Sequence, residues 1–245
     1  MICFVDYERS DVAVRLKEGL QETKDVLYGD VPDRIIITEN GLNMAVDVKN
    51  GQKTGYFLDQ KENRYASRRY AKNGEGLDCF CNSGGFSLNC ATVAKSVTAV
   101  DVSQLALDNV NENARLNGIE NIQTLQGDVF EVLRTYKKEN KKVDLVILDP
   151  PAFCKSASEA KDAYRGYKDI NVLGMKLVRS GGFLISASCS HYMTLPNFQK
   201  MLSDSARESG RIVRQVELKT QSPDHPSLVS ADETNYLKFF VLQVI

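Results

Sequence analysis

From Leu77 onward, short apolar runs alternate with runs of helical periodicity, and this alternation limits the chain to very few folds. The strand candidates are Leu77–Phe80, Val97–Val100, Ile122–Gln126, Val143–Leu148 and Phe183–Ala187. The helix candidates among them are Phe86–Ala94, Ser103–Leu116, Val129–Lys138 and Ala160–Val178, with Leu195–Ser209 after the fifth strand. Strands separated by helices cannot pair through tight turns, so they are predicted to form a parallel sheet with helices on both faces. Two further strand-like runs, Ile212–Lys219 and Tyr236–Val244, have no helix between them. They are predicted to be an antiparallel pair that ends the sheet. The expected architecture is a Rossmann-like, doubly wound α/β sheet of seven strands.

Ligands of such sheets lie at the carboxyl ends of the strands. The first strand runs through Asp78 into Phe80, Asn82, Ser83, Gly84, Gly85 and Phe86, which reads as strand, tight turn and helix. A turn with adjacent glycines admits a ligand close to the backbone and aims helix N–H groups at it. Asp101 ends the second strand, ahead of Val102 and Ser103, where an acid can accept both hydroxyls of a ribose. Asp128 follows the third strand, ahead of Val129, and Asp149 ends the fourth in Asp149–Pro150–Pro151–Ala152–Phe153. Ser188–Cys189–Ser190 ends the fifth. Taken singly, Asp101 or Asp128 reads as well as the N-cap of the next helix. Four acids at successive strand ends are harder to explain as caps. A nicotinamide dehydrogenase would share the glycine turn and the acid at Asp101, but it has no use for Asp–Pro–Pro–x–Phe.

Residues 1–56 read differently. Asp11–Gln21 is predicted as a short helix, and Arg34–Thr38 and Leu42–Val48 flank Asn40–Gly41, a strong hairpin signal. A second Asn50–Gly51 follows. The chain is thus divided into a small α+β unit, 1–56, expected to pack on the larger domain, 57–245. Lysines and arginines number 31 against 32 acids, so any nucleic-acid surface must be a local patch. Gln60–Lys72 is such a patch in helical period, with Arg64, Arg68, Arg69 and Lys72; it reads equally as a solvated basic face. No apolar run reaches membrane-spanning length, and Met1–Glu8 carries acids where a signal peptide carries basic residues. A cytoplasmic chain is expected. Its six cysteines, at 3, 79, 81, 90, 154 and 189, are then reduced thiols, and Cys79-x-Cys81 lacks the second pair that a zinc site needs. No metal is expected.

Together these motifs resemble the S-adenosylmethionine-dependent methyltransferases, and more closely the single-chain bacterial 23S rRNA cytosine-5 methyltransferases. The resemblance covers essentially the whole chain. It is carried by Lys53–Arg64, Ser83–Phe86, Asp149–Phe153, Arg165–Asn171, Ser188–Ser190, Asp224–Pro226 and Tyr236–Lys238. It implies S-adenosyl-L-methionine as cofactor. The Ser83–Phe86 turn would lie under the methionine part, Asp101 would hold the ribose, and Asp128 and Val129 would meet the adenine. Gln60 and Arg64 would close the donor site, with Phe57, Asp78, Phe80, Asn82, Val102 and Ser103 completing it. Asp149 and Pro150 would border the reactive methyl and the target base.

Cys189 speaks to the acceptor. C5 of a pyrimidine is a poor nucleophile until a thiolate adds at C6. That step needs an exposed cysteine of lowered pKa, and the resemblance implies Cys189 in this role. The plainer reading of a strand-end cysteine, a small buried residue, is favoured for Cys79, Cys81 and Cys90. Cys154 stands one residue after Phe153 and could assist product release or simply pack. Asp149 is a positional candidate for the base that removes the C5 proton. Arg165, Tyr167, Lys168 and His191 are candidate RNA contacts; Tyr167 could stack on a base or pack, and His225 is expected to shape its loop. The implied partners are large-subunit ribosomal RNA, free or partly assembled, and a second copy of the chain, with no membrane.

Two departures from the family pattern matter. A lysine is usual where Ala152 stands, and the N-terminal RNA-binding PUA-type domain is not in this sequence. Either the chain is a truncated product or RNA binding rests on what remains. Rival readings are a guanine methyltransferase on the same scaffold, which would not need Cys189, and a catalytically silent ribosome-assembly protein.

Overall fold

A computed structural model of the chain describes residues 5–154 and 159–245; Cys3 and the start of the Met1–Glu8 segment lie outside them. The chain divides into two units, Met1–Leu58 and Asp59–Ile245.

The first unit holds two antiparallel hairpins. β1 (Asp6–Ser10) pairs with β2 (Thr23–Tyr28), and β3 (Ile35–Glu39) pairs with β4 (Leu42–Val46). Asn40 and Gly41, with φ of 54° and 79°, form the β3–β4 turn in the left-handed geometry that makes Asn-Gly a hairpin signal. Asn50–Gly51 joins no strands. There the Asp47 carboxylate accepts the N–H groups of Lys49 and Asn50 at 3.0 and 2.7 Å and closes a local turn. The helix expected over Asp11–Gln21 is only one turn, α1 (Val14–Lys17), with no buried residue. One turn makes too few hydrogen bonds to stand without an apolar face to bury. The flanking segments pair as β1 and β2, which the helical reading missed.

The second unit begins with α2 (Lys61–Ala71) and runs β5 (Glu75–Cys79), α3 (Gly85–Ala91), β6 (Ser96–Asp101), α4 (Gln104–Leu116), β7 (Ile122–Gln126) and α5 (Val129–Lys138). It continues through β8 (Val143–Leu148), α6 (Ala160–Leu177), β9 (Val178–Ser188), α7 (Leu195–Ser209), β10 (Val213–Lys219) and β11 (Lys238–Val244). The sheet has seven strands in the order β10-β11-β9-β8-β5-β6-β7. The pairs among β5 to β9 are parallel; β11 is antiparallel to β9 and β10 to β11. This is the doubly wound sheet with an antiparallel end that the strand–helix alternation predicts. β9 starts five residues earlier than its apolar run, because Val178 pairs with Val143 and residues 179–182 form an irregularity before the register resumes at Leu145 and Phe183.

Apolar residues fill both faces, as continuous rather than alternating strand runs require. Val146 and Leu148 of β8 pack in one cluster with Leu133, Ile170, Leu173, Phe198 and Met201 of α5, α6 and α7. Leu145 and Ile147 of the same strand face the other way, toward Tyr70 of α2 and Phe86 and Cys90 of α3. Winding runs from β5 outward to β7 and then returns to β8 on the other side of β5. The strand order therefore reverses between β5 and β8, and a crevice opens beyond the carboxyl ends of these two strands. No helix among the described residues is long and apolar enough to cross a membrane.

Candidate active site at the carboxyl edge of the sheet

On the β5–β6–β7 side, the carboxyl edge is built from local turns. Phe80, Asn82 and Gly84 all have positive φ, at 64°, 48° and 85°, so the chain bends sharply between β5 and α3. A phenylalanine in the left-handed region is costly and marks a position held by its surroundings. Asp101 ties this turn to the end of β6: one carboxylate oxygen accepts the Asn82 N–H at 3.0 Å, the other the Ser103 N–H at 2.9 Å. Asn113 of α4 donates to the Ser83 carbonyl at 3.0 Å. Next to Asp101, Val102 is an apolar side chain left 70% exposed.

Asp78 sits inside β5 and is buried. Its Oδ2 accepts the Ser87 hydroxyl at 2.6 Å, while Oδ1 has no hydrogen-bond partner among the described residues. Burial pushes its carboxyl up to about 7, against the pull of Ser87 and with help from Asp149.

On the β8–β9–β11 side, distant segments converge. Gln60 donates to Asp149 at 3.2 Å and accepts from Asn63 at 2.7 Å. Burial holds Asp149 up at about 7, with the Asp59 charge adding to it and Arg64 and Gln60 opposing. Arg64 is only 3% exposed, so it is not part of a solvated basic face; Arg69 and Lys72 are exposed. Leu148 and Ser186 are in register, which sets Asp149 and Cys189 at the same edge of neighbouring strands. Cys189 is half-buried, whereas Cys79, Cys81, Cys90 and Cys154 are buried. Its loop is braced on both flanks: Ser188 donates to the Tyr167 hydroxyl at 2.9 Å, and Ser190 donates to the Cys154 carbonyl at 2.6 Å. The second bond ties the Cys189 loop to the Asp149–Phe153 loop.

The structure redistributes several expected roles. Tyr167, a candidate for stacking on a base, is fully buried between Phe153 and Phe198, with ring centroids at 4.7 and 5.6 Å. Its long apolar body fills the space under the Cys189 loop, so no base can reach its face. Lys168 pairs with Glu208 at 2.8 Å and Arg165 with Asp162 at 3.3 Å, along the helix exterior. His191 is exposed and borders a cleft of about 340 Å³ together with Asn235 and Lys238. Asp128 is the N-cap of α5, accepting from Phe130 and Glu131 at 2.8 and 3.3 Å, and Ser103 caps α4. The capping oxygen of Asp128 is Oδ1 in both bonds. Val129 is buried in the core. Gly84 needs its glycine for packing: a Cβ there would lie 2.7 Å from Leu88 and 3.0 Å from Val110. Its small size seats α3 against α4. Burial drives the Cys79, Cys81 and Cys90 thiols up, as expected of inert core residues. His225 bonds Asp224 at 3.1 Å and closes a turn onto Ser222, a loop-shaping position. Phe57 falls in the first unit.

Two residues at this edge have no local sequence signal. Asp59 accepts the Tyr236 hydroxyl at 2.8 Å across 177 residues. Lys238 reaches the Ser190 carbonyl at 2.6 Å. Only the motif-level resemblance, at Lys53–Arg64 for Asp59 and at Tyr236–Lys238 for Lys238, pointed to them. Among the described residues, no group of three or more His, Cys, Asp or Glu could hold a metal ion.

The chemistry of this edge suits S-adenosylmethionine. That molecule carries an ammonium and a sulfonium, a ribose diol and an apolar adenine. The edge offers two carboxyls whose pKa burial raises to about 7, one with an oxygen that lacks a partner among the described residues, and an acid at the end of β6 beside an exposed Val102. Buried acids that lack a cation are stabilised when one arrives.

The comparisons agree with this reading. A family model for S-adenosylmethionine-dependent methyltransferases matches residues 16–240. The ribosomal RNA large subunit methyltransferase I of Pseudoalteromonas atlantica is 46% identical over 242 residues, which is 98% of this chain and 61% of that protein. The protein of the same name from Vibrio vulnificus is 46% identical over 245 residues, 98% of this chain and 62% of its own length. The chain thus spans about three-fifths of the curated relatives it matches. A methyltransferase crystallised with SAH shares the fold at a TM-score of 0.81 and 25% identity, over 91% of this chain and 59% of that one. With the sheet, its carboxyl edge and the family match in agreement, the chain belongs to the S-adenosylmethionine-dependent methyltransferase family.

Proposed function

We propose that this chain methylates C5 of a cytidine in 23S ribosomal RNA, with Cys189 as the nucleophile at C6. One observation carries the reading: of the described cysteines, Cys189 alone is not buried, and it stands beside Asp149 at the carboxyl edge. The name shared by the relatives, ribosomal RNA large subunit methyltransferase I, supports the substrate class.

Bound S-adenosylmethionine would supply an electrophilic methyl group. Gln60, Arg64, Asp78, the Phe80–Phe86 turn, Asp101, Val102, Ser103, Asp128, Val129, Asp149 and Pro150 are proposed to hold it, with the ribose on Asp101. The Cys189 thiolate gives its electron pair to C6, and the C5–C6 π pair moves onto C5. C5 would then bond to the methyl carbon as the sulfonium's S–CH3 bond breaks, its electron pair staying on sulfur as a neutral thioether leaving group. A base removes the C5 proton, the C5–C6 double bond re-forms and the S–C6 bond breaks, returning the thiolate. Asp149, held near 7, is suited to take a proton at neutral pH, and Gln60 orients it. His191 and Arg165 are proposed to meet the RNA, in the cytoplasm where ribosomes are assembled.

The test is incubation with large-subunit RNA fragments carrying 5-fluorocytidine. Wild type is expected to form a covalent complex resistant to denaturant, and Cys189→Ala to form none. Methyl transfer to unmodified RNA with no trapped complex from the fluorinated RNA would defeat the thiolate mechanism. Bisulfite sequencing of the product then reads both base and position.

A further inference from the structure

Lys238 opens β11 and is only 5% exposed. Its ammonium donates to the carbonyls of Ser190 at 2.6 Å and Tyr236 at 2.7 Å. Among the described residues no carboxylate lies within ion-pair distance of it. Buried charges are normally paired, because two neutral carbonyls satisfy hydrogen bonds without cancelling a charge. Burial does draw the Lys238 pKa down, but only to about 8, so it remains an ammonium at neutral pH. The electrostatic interaction with Cys189 opposes this shift.

The geometry gives the reason. Lys238 is the cross-strand partner of Ser188, and its Nζ hangs on the carbonyl of Ser190. It therefore contacts the residues on both sides of Cys189. The other ionisable groups facing Cys189 come from different elements. Tyr167 of α6 is pushed up by burial and stays neutral, its hydroxyl taken by Ser188. Tyr236, ahead of β11, is likewise pushed up and donates to Asp59. Asp149 ends β8 and is opposed by Arg64 and Gln60. His191 lies two residues on, exposed beside Tyr192. Of these groups, Lys238 is the cation fastened to the cysteine loop itself.

We propose that Lys238 is a positioning residue whose anchored ammonium is the counter-charge that keeps Cys189 a thiolate. This rests on the reading of Cys189 as the nucleophile, but the pairing can be measured without RNA. An opposite charge within about 4–6 Å lowers an acid by roughly one to three pKa units. The experiment is the pH dependence, from 5 to 10, of iodoacetamide alkylation at Cys189, followed on its own peptide by mass spectrometry. In wild type the thiol is expected to titrate well below the ordinary value of about 8.5. In Lys238→Met the midpoint is expected to rise by about one unit or more, slowing alkylation at pH 7 roughly tenfold. Lys238→Arg keeps the charge and is expected to keep the low midpoint. Calorimetry with S-adenosylmethionine shows whether each variant is folded.

A Lys238→Met protein that binds the donor and alkylates with the wild-type profile overturns the proposal. Should that variant not fold, a wild-type Cys189 titrating at or above about 8.5 overturns it instead. The two readings fail separately. A shifted alkylation profile together with an active Cys189→Ala enzyme would leave the pair standing and remove the nucleophile. A trapped 5-fluorocytidine complex with an unshifted profile would do the reverse.

Discussion

The two halves of the carboxyl edge are built in opposite ways. On the β5–β7 side the bonds span at most 30 residues: Asp101 reaches Asn82 across 19 and Ser103 across 2, Asp128 reaches Phe130 across 2, Ser87 reaches Asp78 across 9, and Asn113 reaches Ser83 across 30. On the β8–β11 side they are long: Gln60 to Asp149 spans 89 residues, Lys238 to Ser190 spans 48, Ser190 to Cys154 spans 36, and Tyr236 to Asp59 spans 177. A site held by bonds between successive β–turn–α units forms when those neighbouring units have paired. A site held by long-range bonds exists only when the whole sheet has closed, since each such bond first costs the ordering of the chain between its partners. The first half suits a ligand whose recognition is generic, the second a reaction that needs charges placed from several strands.

This contrast can be broken at several points. The largest effect is expected at Cys189: Cys189→Ala is expected to lower methyl transfer by at least about a thousandfold while leaving S-adenosylmethionine binding unchanged in calorimetry. A parallel loss of donor binding would show that the two halves are not separable. Next is Gly84→Ala, which places a side chain at φ 85° and 2.7 Å from Leu88. Left-handed strain and overpacking together predict a loss of about 2–4 kcal/mol in urea unfolding. A loss below about 1 kcal/mol would show that α3 can move off α4.

Asp101→Ala removes the acceptor of two backbone N–H groups, and donor affinity is expected to fall roughly 10- to 100-fold with the Cys189 alkylation rate unchanged. The smallest effect is in pH. Asp78 has an ordinary value of 3.8 and is pushed up to about 7 in the folded chain by burial. Between these values the unfolded chain gives up its proton and the folded chain keeps it, so the ligand-free protein loses stability as pH rises through that window. A cationic ligand favours the ionised carboxyl. Affinity for S-adenosylmethionine is therefore expected to rise from pH 6 to 8 with release of protons, and Asp78→Asn should flatten both trends. Isothermal titration in buffers of different ionisation enthalpy measures this; a flat wild-type profile would remove Asp78 from the donor site.

The same contrast explains what could be read in advance. The alternation of apolar and helical runs is a local property, and β7 and β8 fall where their runs predict. The Asn40–Gly41 hairpin is equally local, because its turn demands residues that tolerate positive φ. The Asp11–Gln21 helix is realised only over Val14–Lys17, because period alone does not say whether a face will be buried. The acids at the strand ends were visible as a pattern. Their division of labour was not: Asp128 caps a helix, Asp78 is buried behind the turn, and Asp101 joins two loops. Tyr167 looked like a base platform and is a buried prop for the Cys189 loop.

Residue types at short spacing thus determined the strand–helix order, the doubly wound sheet, the edge where a ligand must lie and the cysteine that stands there. These follow from periodicity and turn chemistry, which act over a few residues. Only the tertiary structure decided which charges share that edge. Burial and proximity raise the pKa values of Asp78 and Asp149 and fasten Lys238 to the Ser190 carbonyl in the Cys189 loop, and both depend on segments far apart in the chain. Electrostatic energy is a function of distance and dielectric in the folded state, and neither quantity is written in the order of the residues.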